Sequence, residues 1–465
     1  MKAVRELLLC VLLMQGWNFA QQNPSDNPLA SNPPASGDAQ SIPNAPTPQT
    51  NTAVPQPAAA GVPLSLKDAE TLAIKNNPQI SEARLNALAA QQVTREARSS
   101  LWPTAVADIT AVDANPGSRI TAGALNNPIV YQRAAVGTTV SQLITDFGHT
   151  RNLIASASLS AKAQEQNAVA TKEQILLIVD QAFYAALQAH DLLIVAQQTV
   201  AARQTVSDQI QALFNSKLKS QLDLSFANVN LSQAKLLVLD AKNNENGALA
   251  TLSMVLGYPR IQSFQLVEDT TTTTEPPANV DDLISQALST RPEILSLEFQ
   301  FRSQQKFQSA QHDLLFPNIR AVGTVGDTPV RNPVISNWYG AVGVNVEIPI
   351  FNGFLFNARS HEATLREQAV QERLADLRNT IARDVRNSWL NANTAFQRMD
   401  VTRQLLDQAN LALDLAQTRY KLGLGSIVEL SQAQLQQTQA QISSAQAGYD
   451  YRLALAVVRY ETTGI

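Results

Sequence analysis

The chain has 465 residues and a formal net charge of −4; its composition is 45% hydrophobic, 6% aromatic and 16% charged. No basic stripe or aromatic-basic cluster runs along it, which excludes a nucleic-acid binder, and few aromatics beside abundant Ala and Gln suit long helices packed through small side chains. Its single cysteine, Cys10, excludes a disulfide framework.

At the N-terminus, Met1 to Glu6 carries Lys2 and Arg5, an apolar run follows from Leu7 to Met14, and small residues lead to Ala20. This pattern predicts a secretory signal peptide over 1–20, cleaved after Ala20, because the run is far short of the ~20 residues that span a bilayer. Cys10 lies inside it, so the mature chain is expected to carry no thiol. Nine of the 22 prolines fall between Gln21 and Val62 among Asn, Ala, Gln, Ser and Thr, which predicts a disordered, extended leader over 21–62 that acts as a spacer.

Ordered structure is expected from about Leu64, where Ser65 can cap a helix that ends before Pro78. A second helix, Gln79 to Trp102, stops at Pro103. Thr104 to Asp113 then reads as a strand, a polar loop runs to about Arg133, and Val136 to Ile144 reads as a second strand. Nothing breaks a helical pattern from about Arg151 to Phe214, a rod of roughly 95 Å at ~1.5 Å per residue. The return helix, Leu224 to Leu256, is half as long and breaks at Gly257-Tyr258-Pro259. A helix from Glu293 to Phe316 has the length to stack on its end.

After Pro317, Ile319 to Val325 is strand-like, and a loop is expected through Gly326-Asp327, Pro333 and Trp338-Tyr339. Gly340 to Phe351 alternates strictly. Val342, Val344, Val346 and Ile348 share one face, and Ala341, Gly343, Asn345 and Glu347 the other. That dyad fits a membrane barrel with a wet lumen, and equally a half-buried strand in a soluble sheet. From Ala358 to Lys421, apolar residues including Leu374, Leu377, Ile381, Val385, Trp389, Ala392, Phe396 and Met399 step by three and four, a seam for a partner helix. Leu430 to Tyr460 returns, and by length is expected to be complemented by the helix Gln79 to Trp102.

The two halves match each other. Pro78 and Pro103 recur as Pro292 and Pro317, with 292 − 78 = 317 − 103 = 214, and Asp223-Leu224-Ser225 recurs as Glu429-Leu430-Ser431 at an offset of 206, since 429 − 223 = 206. We therefore expect one duplicated unit, a first copy over 63–279 and a second over 280–465. Its hairpins lie near 104–146 and 318–351, and its helix turns at 214–227 and 420–433.

This ordered and duplicated set resembles the TolC-like outer-membrane efflux protein family. The residues that carry the resemblance are Asn77-Pro78 and Arg291-Pro292, Leu101-Trp102-Pro103 and Leu315-Phe316-Pro317, Thr145-Asp146-Phe147-Gly148 and Phe351-Asn352-Gly353, and the turn from Arg419 to Leu430. The resemblance implies a mainly α fold with β. A long antiparallel helical coiled-coil barrel would lie in the periplasm below an outer-membrane β-barrel of twelve strands, completed by trimerisation because four strands cannot close alone. It also implies a mixed belt around Gln262 to Asp282, a periplasmic adaptor and an inner-membrane pump of RND, ABC or MFS type as partners, contact with outer-membrane lipid, and a passive conduit for efflux or type I secretion.

Two turns stand out as candidate functional sites. Gly423 and Gly425 supply freedom for a helix reversal, and Asp223 and Glu429 sit where helix dipoles favour negative charge. In the family these turns close an iris. Asp223, Glu429 and Tyr420 would line it, and threefold symmetry would gather up to six carboxylates, a ring that favours cations. The family's latch joins a Tyr, an Asp and an Arg; Tyr420 and Asp223 match, but the Arg position is Gly425, and a second family carboxylate is Gln432. The docking tips would be Ser216, Lys217 and Leu218, and Leu422, Gly423 and Leu424, with Lys217 standing where the family has a docking glycine.

No cofactor or metal is expected, because His149, His190, His312 and His361 lie singly, without a second ligand at metal spacing, and are expected to be solvated helix residues. No phosphate-cradling glycine loop or nucleophile elbow appears, which leaves an enzyme without a site. The rival reading is a soluble periplasmic coiled-coil scaffold or adaptor.

Overall fold

The computed structural model describes residues 62–113, 115, 133–268, 275–330 and 336–463. The expected signal peptide, nearly all of the leader, most of the first hairpin loop and Pro333 lie outside them. The elements are β1 (Val62–Leu64), α1 (Leu66–Asn76), α2 (Pro78–Ser99), β2 (Thr104–Val112), β3 (Arg133–Thr145), α3 (His149–Asn215), α4 (Gln221–Val255), β4 (Phe264–Leu266), α5 (Val280–Thr290), α6 (Pro292–Asp313), β5 (Asn318–Val330), β6 (Trp338–Glu347), α7 (Leu355–Lys421) and α8 (Ile427–Thr463). Helices α1 and α5 both have 11 residues, α2 and α6 both 22, and α3 and α7 both 67.

Local chemistry sets the boundaries. Ser65 and Asp68 form a reciprocal capping box on α1. Asn77 accepts from the Gln79 amide at 2.9 Å, and Pro78 opens α2 at the position where a missing N–H costs nothing. At the equivalent Arg291 no side chain caps α6; instead the buried guanidinium pairs with Glu293 and Glu461. Phe147 and Gly148, and later Gly353 and Phe354, take positive φ where strands hand over to the long helices.

Helix α3, roughly 100 Å long at ~1.5 Å per residue, packs along α4 and along α6. Contacts such as Ser207–Asn228 place α4 on its C-terminal half, and Ser156–Ser303 places α6 on its N-terminal half. Two short helices thus share one long one, as their lengths predict. Helix α7 likewise packs on α8 and α6, and its seam residues Leu374, Ile381, Val385 and Ala392 are buried.

Within one chain the expected place of α2 is not met. It lies against α3 and does not pack along α7, leaving Leu85, Leu88 and Val93 exposed within one chain. Length fixed how far this helix reaches but not which rod it flanks. The largest buried cluster surrounds Val179, Phe183, Leu252 and Leu256, where α1, α3 and α4 meet beneath the parallel pair β1–β4.

The four long strands form one antiparallel sheet in the order β2-β3-β5-β6, and no helix packs broadly on it. Two expectations are corrected here. Gly326-Asp327 and Trp338-Tyr339 are not loop; they pair across β5 and β6, Gly326 with Tyr339 and Asp327 with Trp338. Tyr339 lies so close to Gly137 and Gly326 that a Cβ on either would meet its hydroxyl oxygen at 2.3 and 2.4 Å, so the bare glycines make the floor on which the ring rests. Strand β6 stops at Glu347 rather than Phe351, because Pro349 cannot donate to a ladder. Val342, Val344 and Val346 are all exposed in the single chain.

Candidate functional site

The two turns at the far end of the helices are built alike. Helix α3 is C-capped by Ser216, with Lys217 in the left-handed region at φ 59°, and α7 by Leu422, with Gly423 at φ 75°. In the first, the Leu218 amide donates to Leu213 O at 2.9 Å and the Lys217 amide to Phe214 O at 2.9 Å. In the second, Leu424 donates to Arg419 O at 2.8 Å and Gly423 to Tyr420 O at 3.1 Å. Both are Schellman terminations, which favour glycine at the left-handed position. The first turn places a lysine there at some strain.

The returning helices begin with serines. Ser220 and Asp223 close a full capping box on α4: the Asp223 amide donates to Ser220 Oγ at 3.2 Å, and the Ser220 amide and hydroxyl donate to Asp223 Oδ2 at 3.0 and 2.6 Å. On α8 only half of this forms. The Glu429 amide donates to Ser426 Oγ at 3.1 Å, while its carboxylate turns to Arg419, 3.0 Å away. Arg419 also donates to Leu424 O.

The turns are joined through Tyr420. Its hydroxyl donates to Asp223 Oδ1 at 3.2 Å, and the Lys219 ammonium lies 3.8 Å from its ring centroid. The ring is buried with Ile210, Leu224, Ile427 and Leu430. Burial, and then Asp223, push the phenol up to about 12. Burial pulls the Asp223 carboxyl upward, but its bonds to Ser220, then Tyr420 and Lys219, more than offset this and leave it below the ordinary carboxylate value. Tyr420 and Asp223 are thus brought together as expected; Glu429 is engaged separately, within its own turn.

Further polar contacts cross between the two hairpins above the turns. Asn230 donates to Ser431 Oγ at 2.9 Å, Arg203 donates to Gln434 O at 2.7 Å and to Thr438 Oγ1 at 3.1 Å, and Tyr449 donates to Asp191. Arg203 is buried without an acidic partner among the described residues, and burial draws its guanidinium down to about 10. Lys219, Arg419 and Arg203 are residues that sequence reasoning passed over. The repeat offset could have found the first: 425 − 206 = 219, so Lys219 occupies in the first turn the place of Gly425 in the second.

The expected docking residues Ser216, Lys217, Leu218, Leu422, Gly423 and Leu424 are all exposed. With Leu222 and Val428, the leucines put five large apolar side chains into solvent at the tips, each more than half exposed. The histidines differ partly from expectation. His149 is half-buried against Ala310 O at 2.7 Å, linking α3 to α6, and His190 meets Glu245 at 2.7 Å, linking α3 to α4. Among the described residues no cluster of metal-ligating side chains forms, and no helix is long and apolar enough to cross a membrane.

The chain is 24% identical over 409 residues to the outer membrane protein TolC of Escherichia coli (strain K12), covering 83% of this chain and 81% of that protein. To the TolC of Salmonella enteritidis it is 23% identical over 398 residues, covering 83% and 79%. Its fold matches a crystal structure of a membrane protein from Pseudomonas aeruginosa with a TM-score of 0.75 at 20% identity, over 86% of this chain and 90% of that one. The family model described as "Outer membrane efflux protein" matches residues 71–258 and again 283–459. The chain therefore belongs to the outer membrane efflux protein family and is an outer-membrane channel with its helices in the periplasm.

Proposed function

We propose that three copies of this chain form the exit duct of a tripartite efflux or type I secretion system, passing substrates from an adaptor and an inner-membrane pump to the exterior. The observation that carries this reading is the open sheet above closed helix turns. Strands β2 and β6 close the sheet on either side, and their outer edges are unpaired among the described residues; exposed edges demand pairing. Three sheets joined edge to edge give a barrel of twelve strands. The same arrangement would bring the uncovered apolar side of α2 onto α7 of a neighbour.

Aromatic residues mark where this barrel meets outer-membrane lipid. Trp102, Phe147, Phe316 and Phe351 cluster where the strands join the helices, and Trp338 and Tyr339 lie at the opposite end of the sheet; all six are exposed. Such girdles bound the apolar band of a membrane barrel. The two family matches and the paired helix lengths support descent from one duplicated unit with copies at 63–279 and 280–465, behind a signal peptide and spacer.

At the periplasmic end, Asp223, Glu429 and Tyr420 form the iris, and the apolar tips with Ser216 to Leu218 and Leu422 to Leu424 dock the adaptor. The duct itself is passive; the pump, of RND, ABC or MFS type, supplies the energy. A soluble scaffold is disfavoured by the family match and by the uncovered sheet. Native mass spectrometry of the mature protein in detergent tests the assembly: a trimer is expected, and a folded monomer would refute it.

A further inference from the structure

The charge around the iris differs from what its carboxylates alone suggest. The first turn carries Lys217, Lys219 and Asp223, and the second carries Arg419, Lys421 and Glu429. Four cations against two anions leave 4 − 2 = +2 per chain. Moreover, both anions are engaged. Asp223 accepts three hydrogen bonds from Ser220 and Tyr420 and has Lys219 beside it; Glu429 is ion-paired to Arg419. Lys217 and Lys421 are exposed and make no ion pair among the described residues. From these two lysines the next acids along the long helices, Asp208 and Asp414, lie two helical turns or more back, more than ~10 Å at ~1.5 Å per residue, beyond the ~8 Å Debye length of physiological salt.

We propose that the periplasmic mouth of this duct is an electropositive entrance that admits anionic solutes, such as small molecules bearing carboxylate or phosphate groups, ahead of cations. This rests on the trimeric duct proposed above, in which threefold symmetry raises the charge of the mouth from +2 to +6. A ring of free carboxylates would draw cations in. Here Glu429 is ion-paired to Arg419, Asp223 is tied up in hydrogen bonds with Lys219 nearby, and the surplus lysines set the sign of the local potential that an entering ion meets. Lys219 is central, because it sits on Tyr420 at the contact between the two turns.

The test is the reversal potential of the purified, full mature protein in a planar bilayer under a potassium chloride gradient. The wild type is expected to prefer chloride. The Lys217→Gln, Lys421→Gln double variant alters only exposed side chains, and it is expected to shift the permeability ratio several-fold toward potassium; Glu429→Gln is expected to shift it the other way. A potassium-preferring wild type, or a double variant whose ratio is unchanged, would overturn the inference while leaving the duct intact. Folded trimers that carry no current in any variant would instead remove the duct on which it rests.

Discussion

Replacing Tyr420 by phenylalanine deletes one oxygen and the hydrogen bond that joins the two turns. The ring would remain, still buried with Ile210, Leu224 and Ile427 and still beneath Lys219, so the fold should persist. A hydrogen bond to a charged acceptor contributes ~1.5–3 kcal/mol when buried. Asp223 is half-buried and keeps its Ser220 partners, so ~1 kcal/mol per chain is the reasonable figure. Three chains acting together would lose ~3 kcal/mol from the closed arrangement, and since ~1.4 kcal/mol is tenfold, its balance against the open one should move by ~100-fold. Release of a trapped dye from proteoliposomes reads this directly. Release from the Tyr420→Phe protein at the wild-type rate, with the trimer intact, would refute the idea that this contact holds the turns together.

Three other outcomes are expected. The Asp223 carboxyl is held below its ordinary 3.8 in the folded chain, so its contribution is full above that value and lost as pH falls through the folded value; strong acid should raise dye release in the wild type much more than in Tyr420→Phe. Asp180 is 1% exposed beside Glu70, and burial, then Glu70, push it up to about 7. Because the folded state holds its proton more tightly than the unfolded state, stability should fall as pH rises from about 4 to about 7 and then level off. Asp180→Asn should therefore raise the melting temperature at pH 8 and leave it almost unchanged at pH 4, and an equal gain at both would contradict this. Gly423 and Gly247 both have open space where a Cβ would stand, but only Gly423 has positive φ. Thermal melting should show Gly423→Ala losing ~1 kcal/mol per chain and Gly247→Ala, within helix α4, gaining 0.5 to ~1 kcal/mol.

Most helix boundaries were legible because proline, glycine and capping serines act locally: Ser65, Pro78, Pro292 and Gly423 each do in the structure what their chemistry dictates alone. Where distant pairing decides, the reading failed. Gly326-Asp327 has the composition of a turn, but it is held in β5 by pairing with Trp338-Tyr339, partners that no local rule supplies. The place of α2 depended on which rod it flanked, which its length does not encode.

At the site, the sequence located Tyr420, Asp223 and Glu429 but not their state of charge. Arg419 and Glu429 are ten residues apart with a helix reversal between them, a spacing that suggests no contact until the Schellman turn folds the chain back. Arg203 satisfies itself on a backbone carbonyl of α8, an acceptor that every residue carries and no side-chain pattern reveals. The apolar dyad of β6 left a soluble sheet and a membrane barrel equally open on that hairpin, because alternation encodes which residues share a face and not what covers that face.

The most direct measurement is the single-channel conductance of the purified mature protein in a planar bilayer. The account predicts discrete, small steps for the wild type and larger or more frequent openings for Tyr420→Phe. Correctly folded trimers that show no conductance in either form would contradict the claim that this chain forms a duct through the outer membrane.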